Sequence, residues 1–283
     1  MTEYRQILGA LARLYEKDFF FIVGWNRSGT NWLQCALDSH PNAACRGEGH
    51  FTDLLFPLVE RAFDSYNRGL RRTARRLGAA GGENGCRGLT GRDLGVLQRT
   101  AAGLIMGGWG GGGDIRAVGE KTSEHTAAVE LLADIAPGAK IIQVIRDGRD
   151  EAASAWEFNL RLGGEDFIKK FPNFTVFAED FAGNWAAATG AARNWGRANK
   201  DRYLELRAED LIGEPEKNVR RAFSFLGLGD GGDGGENIRR AVEAGRRMPG
   251  DGDGNWRDNS NPEAKAAFSR QAGELLKLLD YEI

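Results

Sequence analysis

Residues 19–38 read FFFIVGWNRSGTNWLQCALD, and this stretch decides the fold. Phe19 to Val23 are apolar without interruption, the pattern of a strand buried on both faces, and they run straight into Gly24 and a short polar turn. Past the turn, Trp32, Leu33, Ala36 and Leu37 recur at helical spacing until Ser39-His40-Pro41 closes the pattern. The order is strand, loop, helix.

The loop, Gly24-Trp25-Asn26-Arg27-Ser28-Gly29-Thr30, combines two glycines for close backbone approach with a cation, two hydroxyls and a helix whose first N–H groups face the loop. That is a cradle for an anion. It falls short of the nucleotide-triphosphatase pattern GxxxxGK[ST]: Thr30 stands where the lysine belongs, and the cation, Arg27, lies two residues before the second glycine. The loop is expected to hold phosphate without a magnesium–triphosphate grip.

These residues resemble the 5′-phosphosulfate loop of the sulfotransferases that use 3′-phosphoadenosine-5′-phosphosulfate (PAPS), in which Lys or Arg precedes Ser-Gly-Thr and a Trp follows. A second stretch, IIQVIRDGRDEAASAW at 141–156, places Arg146 at a strand end and Ser154 in the next helix. In that family the matching Arg and Ser bind the 3′-phosphate of the donor. The resemblance implies that Arg27, Ser28, Gly29, Thr30, Asn31 and Trp32 hold the 5′ end of PAPS, and Arg146 and Ser154 the 3′ end. It also implies adenine stacking for Trp32, whose periodicity alone reads equally as core.

Other stretches extend the likeness. In CRGEGHF, at 45–51, Glu48 and His50 sit in a polar turn, and sulfuryl transfer to a hydroxyl needs a base. Family branches use either residue type; the Gly-Glu context favours Glu48, His50 is its rival, and two merely solvated loop residues is the plain alternative. IRAVGEKT, at 115–122, reads as a strand ending near Lys121, which by resemblance assists the leaving group and otherwise is a surface lysine paired with Glu120 or Glu124. Arg146 has an internal ion pair as its structural alternative, and Asp147 and Asp150 are placed to cap a helix and hold arginines. RYLELRAEDLIGEPEKNVRRAFSFLGL, at 202–228, resembles a third family block, with Ala208 replacing the usual aromatic. GRRMPGDGDGNWRDN, at 245–259, resembles the late loop that closes over the 3′-phosphate, with Arg246, Arg247, Gly254, Trp256 and Arg257 as the matching residues. Its acidic spacing is not a calcium loop: Trp256 and Pro262 stand where that motif needs Gly and Glu.

Composition sets the outer bounds. A chain of 283 residues with net charge −2 has no global pull towards nucleic acid, so anion recognition must be local. Arg71, Arg72, Arg75 and Arg76 form the one dense basic cluster, read as a solvated helix face. Cys35, Cys45 and Cys86 lack metal spacing and are odd in number, which favours a reducing compartment and a cytoplasmic location. No apolar run approaches the ~18 residues of a membrane span, and residues 4–16, with Ile7, Leu8, Leu11, Leu14 and Tyr15, read as an amphipathic packing helix. The 40 glycines, about twice the usual ~7%, gather at 78–113 and 227–254.

The expected architecture is α/β: a parallel sheet flanked by helices, with strands at 19–23, 115–119, 140–145 and 202–206, in one P-loop-like sulfotransferase domain spanning 1–283. Residues 51–113 form a helical, glycine-rich insertion placed over the acceptor, with 107–113 as a lid. The expected activity is in-line sulfuryl transfer from PAPS to a hydroxyl or amine, with Arg27 and Lys121 covering charge, Glu48 as base and no metal, since the migrating group carries less charge than a γ-phosphoryl. An ATP-dependent phosphoryl transferase and a non-catalytic nucleotide-binding relative are the alternatives. The only partner expected is an unidentified acceptor, with no nucleic acid and no membrane span; a homodimer is compatible with the chain.

Overall fold

The structure, a computed structural model, describes residues 3–76, 87–109, 114–230, 235–248, 256–259 and 261–282. Five strands, β1 (Asp18–Val23), β2 (Ala43–Gly47), β3 (Ala117–Lys121), β4 (Lys140–Ile145) and β5 (Tyr203–Arg207), form one sheet in the order β2-β3-β1-β4-β5. Every neighbouring pair is parallel. The register sets Ile22 of β1 beside both Lys121 of β3 and Ile142 of β4, so the carboxyl ends of the central strands finish at one rim. From β1 the chain crosses to one side of the sheet and from β4 to the other, which opens a crevice between their carboxyl ends.

Alternation along β1 explains why it is apolar throughout. Phe20 and Ile22 enter one core with Leu33 and Leu37 of α2 (Thr30–Asp38), Phe223 of the helix at 215–226 and Ala241 of the helix at 236–246. Phe21 and Val23 enter the opposite core with Leu11 and Leu14 of α1 (Glu3–Leu14) and with Phe51 and Phe56. A strand covered on both faces has no polar side to show. Ile7 and Leu8, expected to pack, are exposed, because the buried stripe of α1 is only as wide as the contact made by Leu11 and Leu14.

After β2 the chain makes one π-helical turn (Phe51–Leu55), then α3 (Phe56–Arg76) and α4 (Gly91–Gly107). These helices dock through few residues, Phe56 and Asn67 from α3 and Ala102 and Met106 among those from α4. Asn67 ties the return of the chain by exchanging hydrogen bonds with the backbone of Leu89, both at 2.9 Å. The four arginines at 71–76 lie on exposed positions of α3. Of the expected lid at 107–113, α4 includes Gly107, and residues 110–113 lie outside the described residues, as do Cys86 and Gly254.

The strand expected at 115–119 runs two residues later. Asp18 pairs in register with Ala117 rather than with Ile115, so pairing with β1 carries β3 through Lys121. After β3 comes a 3₁₀ segment (Ser123–Ala128) leading into α5 (Val129–Ile135). Beyond β4 come α6 (Gly148–Leu162), α7 (Gly164–Lys170) and α8 (Phe174–Ala198). After β5 follow α9 (Ala208–Gly213), α10 (Pro215–Leu226), α11 (Glu236–Arg246), α12 (Trp256–Asn259) and α13 (Pro262–Leu278). A third core, with Trp185 and Phe268 at its centre, joins α6, α8 and α13 beside the end of β4.

Candidate active site

The loop after β1 is wound tightly. A side chain at Gly24 would lie 2.5 Å from Ser28 Oγ and 2.6 Å from the carbonyl of Val144, so glycine alone fits there. The Gly24 N–H donates to Thr126 Oγ1 at 2.8 Å, and Ser28 N–H donates to the Trp25 carbonyl at 3.1 Å. Arg27 has φ of +74° and Gly29 φ of +91°, two left-handed positions that turn the loop onto the amino end of α2. Ser28 is fully buried, and its hydroxyl has no hydrogen-bond partner among the described residues. A buried hydroxyl facing a helix amino end is chemically suited to an anionic oxygen.

The two signature stretches meet. Arg27 Nε donates to Ser154 Oγ at 3.0 Å, and Arg146 Nη1 donates to the Arg27 carbonyl at 3.3 Å. The Arg27 guanidinium also lies 5.1 Å from the centroid of Phe158. Arg146 is close to Glu151, a wholly buried carboxyl whose oxygens make no well-formed hydrogen bond among the described residues. Burial pushes Glu151 well above the ordinary carboxylate range, and the nearby guanidinium and N–H of Arg146 offset this only in part.

The remaining groups at this rim are committed to one another. Asp147 caps α6 and holds Arg149 through both carboxylate oxygens, at 2.9 and 2.7 Å. Its own N–H donates to Glu209 Oε1 at 3.0 Å. Asp150 Oδ1 accepts from Trp256 N–H at 2.9 Å; desolvation raises its pKa and this bond opposes the shift. The capping and arginine-holding read for the two aspartates is therefore realised for Asp147, with Asp150 anchoring α12 instead.

Trp32 is half-buried and packs against Gly245 of α11, where an added Cβ would come within 2.4 Å of the ring. The ring thus has one side set by the protein. Arg247, two residues further on, is exposed and pairs with Glu243 at 2.5 Å. Trp256 is buried, with the Arg149 guanidinium 3.9 Å and Lys265 Nζ 4.8 Å from its ring, and Arg257 pairs with Glu282 at 2.8 Å. These contacts seat α12 on α6 and α13. Ala208, where the family pattern has an aromatic, lies 3.7 Å from the Cβ position of Gly29, so the small side chain packs directly on the loop.

Lys121 and Glu48 are ion-paired across the ends of β3 and β2. Lys121 is buried while Glu48 is exposed, which overturns the reading of Lys121 as a surface residue paired with Glu120 or Glu124. His50 Nε2 stands 3.7 Å from Glu48 Oε2, and His50 Nδ1 stands 2.8 Å from Asp53 Oδ2. The Asp53 hydrogen bond, with help from the neighbouring carboxylates, holds His50 above the usual imidazole range. Glu48, His50 and Glu124 also offer three possible metal-ligand atoms within 4.8 Å of one another. The arrangement brings a carboxylate, a buried ammonium and an anion-binding loop to the same rim, the set of groups that a group transfer between anionic donor and hydroxyl requires.

A family model described as the sulfotransferase family matches residues 20–230, which takes in all five strands except the first two residues of β1. The chain belongs to the sulfotransferase family. The chain is 30% identical over 112 residues to the omega-hydroxy-beta-dihydromenaquinone-9 sulfotransferase Stf3 of Mycobacterium tuberculosis, a match covering 39% of the chain and 28% of that relative's length. Its fold is shared with STF9 of Mycobacterium avium, at a TM-score of 0.59 and 12% identity over 99% of this chain and 81% of that one. The sulfotransferase of Alicyclobacillus acidocaldarius aligns at 0.54 and 18% identity over 94% and 97% of the two chains, and mouse SULT7A1, solved with PAP, at 0.54 and 14% over 96% and 89%. The P-loop-like parallel sheet expected from the sequence is therefore the fold of this chain.

Sequence reasoning sees Glu120 only as a surface partner of Lys121 and passes over Thr122 and His125; all three are buried beside the Glu48 turn. The available signal was parity. Consecutive residues at a strand end face opposite sides, so if Lys121 faces the site then Glu120 faces the core and needs a partner there.

Proposed function

We propose that the chain transfers a sulfuryl group from PAPS to an acceptor hydroxyl or amine. The observation that carries this reading is the junction of Arg27, Ser154 and Arg146, since residues matched to opposite ends of the donor lie within hydrogen-bond reach of one another. Ser28, Thr30, Asn31 and the amino end of α2 surround the 5′-phosphosulfate, with Arg27 as the loop cation. Arg146 and Ser154 take the 3′-phosphate, with Arg247 and Arg257 as further cations from the late segment. Trp32, braced by Gly245, offers its other side to the adenine.

In the reaction the acceptor oxygen or nitrogen attacks sulfur as the bond from sulfur to the 5′-phosphate oxygen breaks. The acceptor proton passes to Glu48, and 3′,5′-diphosphoadenosine departs with the bonding electrons. Lys121 is placed to stabilise the negative charge that grows on the bridging oxygen, an interaction stronger in the transition state than in the ground state. Support for Glu48 over His50 as base comes from their surroundings. Asp53 favours the protonated imidazole, which has no lone pair free to accept a proton, whereas Glu48 is a carboxylate held by an ammonium.

We further infer that acceptor choice lies with residues 51–113, that the chain works in the cytoplasm, and that it needs no metal, since the buried Lys121 and the half-buried Arg27 and Arg146 supply positive charge at the site. No described helix is long and apolar enough to cross a membrane. Nothing in the charge balance favours nucleic acid as a partner, and a homodimer is compatible with the chain. Calorimetry decides the donor: saturable binding of 3′,5′-diphosphoadenosine that ATP fails to displace supports PAPS, and the reverse supports the phosphoryl-transfer alternative. Transfer of label from PAPS to a member of an alcohol, phenol and amine panel separates an enzyme from a binding protein.

A further inference from the structure

Glu120 and Lys121 end β3 on opposite faces of the sheet, and only Lys121 points towards the proposed donor. Glu120 is 0% exposed, and a carboxylate without water must find partners in the protein. Its Oε1 accepts from Gly49 N–H at 2.7 Å and from Thr122 Oγ1 at 2.6 Å. Its Oε2 lies 2.9 Å from Nε2 of His125, which is equally buried. The other ring nitrogen of His125 is 2.7 Å from Thr52 Oγ1, and the ring stacks on Phe51 with centroids 5.9 Å apart. Thr122 Oγ1, while donating to Glu120, accepts from His50 N–H at 3.2 Å.

Two of these contacts end on the backbone of Gly49 and His50, in the stretch 48–50 that lies outside any helix or strand and in which His50 adopts φ of +46°, and His125 reaches Phe51 and Thr52 just beyond it. Two successive N–H groups of the turn and the side chain of Thr52 just beyond it are fixed by one buried network rooted in β3 and the 3₁₀ segment. We propose that Glu120 and His125 are positioning residues for the base. They hold the turn so that Glu48 meets Lys121 and the acceptor's proton. Glu120 acts through the backbone of 49 and, by way of Thr122, of 50, and His125 acts through Glu120, Phe51 and Thr52; neither touches donor or acceptor.

This inference rests on the sulfuryl-transfer reading, and the experiment keeps the two apart. Glu120→Ala, Glu120→Gln and His125→Gln are made in the full chain, and three quantities are measured: affinity for 3′,5′-diphosphoadenosine, amide hydrogen exchange, and turnover of PAPS with whichever panel acceptor the unaltered chain sulfates. The expected result is nucleotide affinity within about threefold of the parent, because the loop at 24–32 is untouched. Exchange at Gly49 and His50 rises at least about tenfold while β1 and β4 keep their protection. Turnover falls about 100-fold for Glu120→Ala with the donor KM unchanged, as expected for a displaced base, and Glu120→Gln, which can still accept from Gly49, recovers much of the loss. Unchanged exchange in the turn, or turnover within about twofold of the parent in a Glu120→Ala protein that binds the nucleotide, overturns the proposal. If Glu120→Ala does not fold, His125→Gln decides by the same readings. If the unaltered chain binds nucleotide but sulfates nothing, the parent reading fails, and hydrogen exchange alone still decides whether the pair fixes the turn.

Discussion

Arg27 Nε and Ser154 Oγ are 3.0 Å apart, although 127 positions separate the two residues in the chain. A guanidinium bonded to a neutral hydroxyl exchanges it readily for a phosphate oxygen, since an anionic acceptor adds charge and paired-bond geometry that a hydroxyl lacks. Ser154→Ala and Arg146→Ala are therefore expected to weaken binding of 3′,5′-diphosphoadenosine by roughly 10- to 100-fold while changing adenosine 5′-monophosphate binding little. Calorimetry with both nucleotides checks it, and equal losses for the two would place Arg146 and Ser154 away from the 3′-phosphate. Arg27→Ala is expected to cost ~10²–10³ in kcat, the usual price of losing one oxyanion donor.

Base assignment separates Glu48 from its neighbour. Glu48→Gln is expected to lower kcat by ~10²–10⁴ with donor affinity intact, and His50→Ala by less than about tenfold. Steady-state kinetics on the two variants reads the difference. Comparable losses in both would mean that the imidazole shares the proton transfer.

The Asp53 contact gives His50 a sign that can be measured. A raised imidazole pKa stabilises the fold fully below the unfolded value of ~6.5, and the contribution disappears as pH rises through the folded value. Asp53→Asn is thus expected to melt below the parent at about pH 5.5 and together with it above about pH 8. Thermal melts across that interval test this, and a deficit that persists at high pH would trace to something other than the ion pair.

Glu151 works in the opposite sense to a salt-bridged carboxylate. Its pKa is raised by burial, so the folded chain binds a proton that the unfolded chain has released above ~4.3, and stability falls as pH rises past that value. Glu151→Gln is expected to raise the melting temperature at pH 7.5 and to lose that advantage near pH 4. Should the variant melt lower at pH 7.5, the carboxylate is ionised and needed by Arg146.

Chelation is expected to leave turnover unchanged, because Arg27, Arg146 and Lys121 supply the positive charge. Added zinc is expected to inhibit, since Glu48, His50 and Glu124 are close enough to converge on one ion and would withdraw the base. Rates in the presence of a chelator and in a zinc series measure both, and activation by zinc would reverse the assignment.

The layers of the fold were legible because local signals agreed with the tertiary outcome. Phe19 to Val23 are apolar on both faces and border a glycine that the tight loop requires, and Arg146 follows an equally apolar strand. What stayed hidden depended on partners far along the chain. Nothing local distinguishes Lys121 from a surface lysine, because its burial comes from β2 and α2 closing around the end of β3. The late stretch shows the same limit: the aromatic and basic pattern around Trp256 was visible, but its stacking on Arg149 and Lys265 is set by α6 and α13.

The adjacency of Glu120 and Lys121 makes the length of β3 a kind of reading frame. One residue gained or lost between Ala117 and Gly119 would exchange the sides to which the two point, sending a carboxylate towards the donor's phosphates and an ammonium among Phe21, Phe51 and His125. Descendants of this chain can vary the letters of that strand far more safely than they can vary their number.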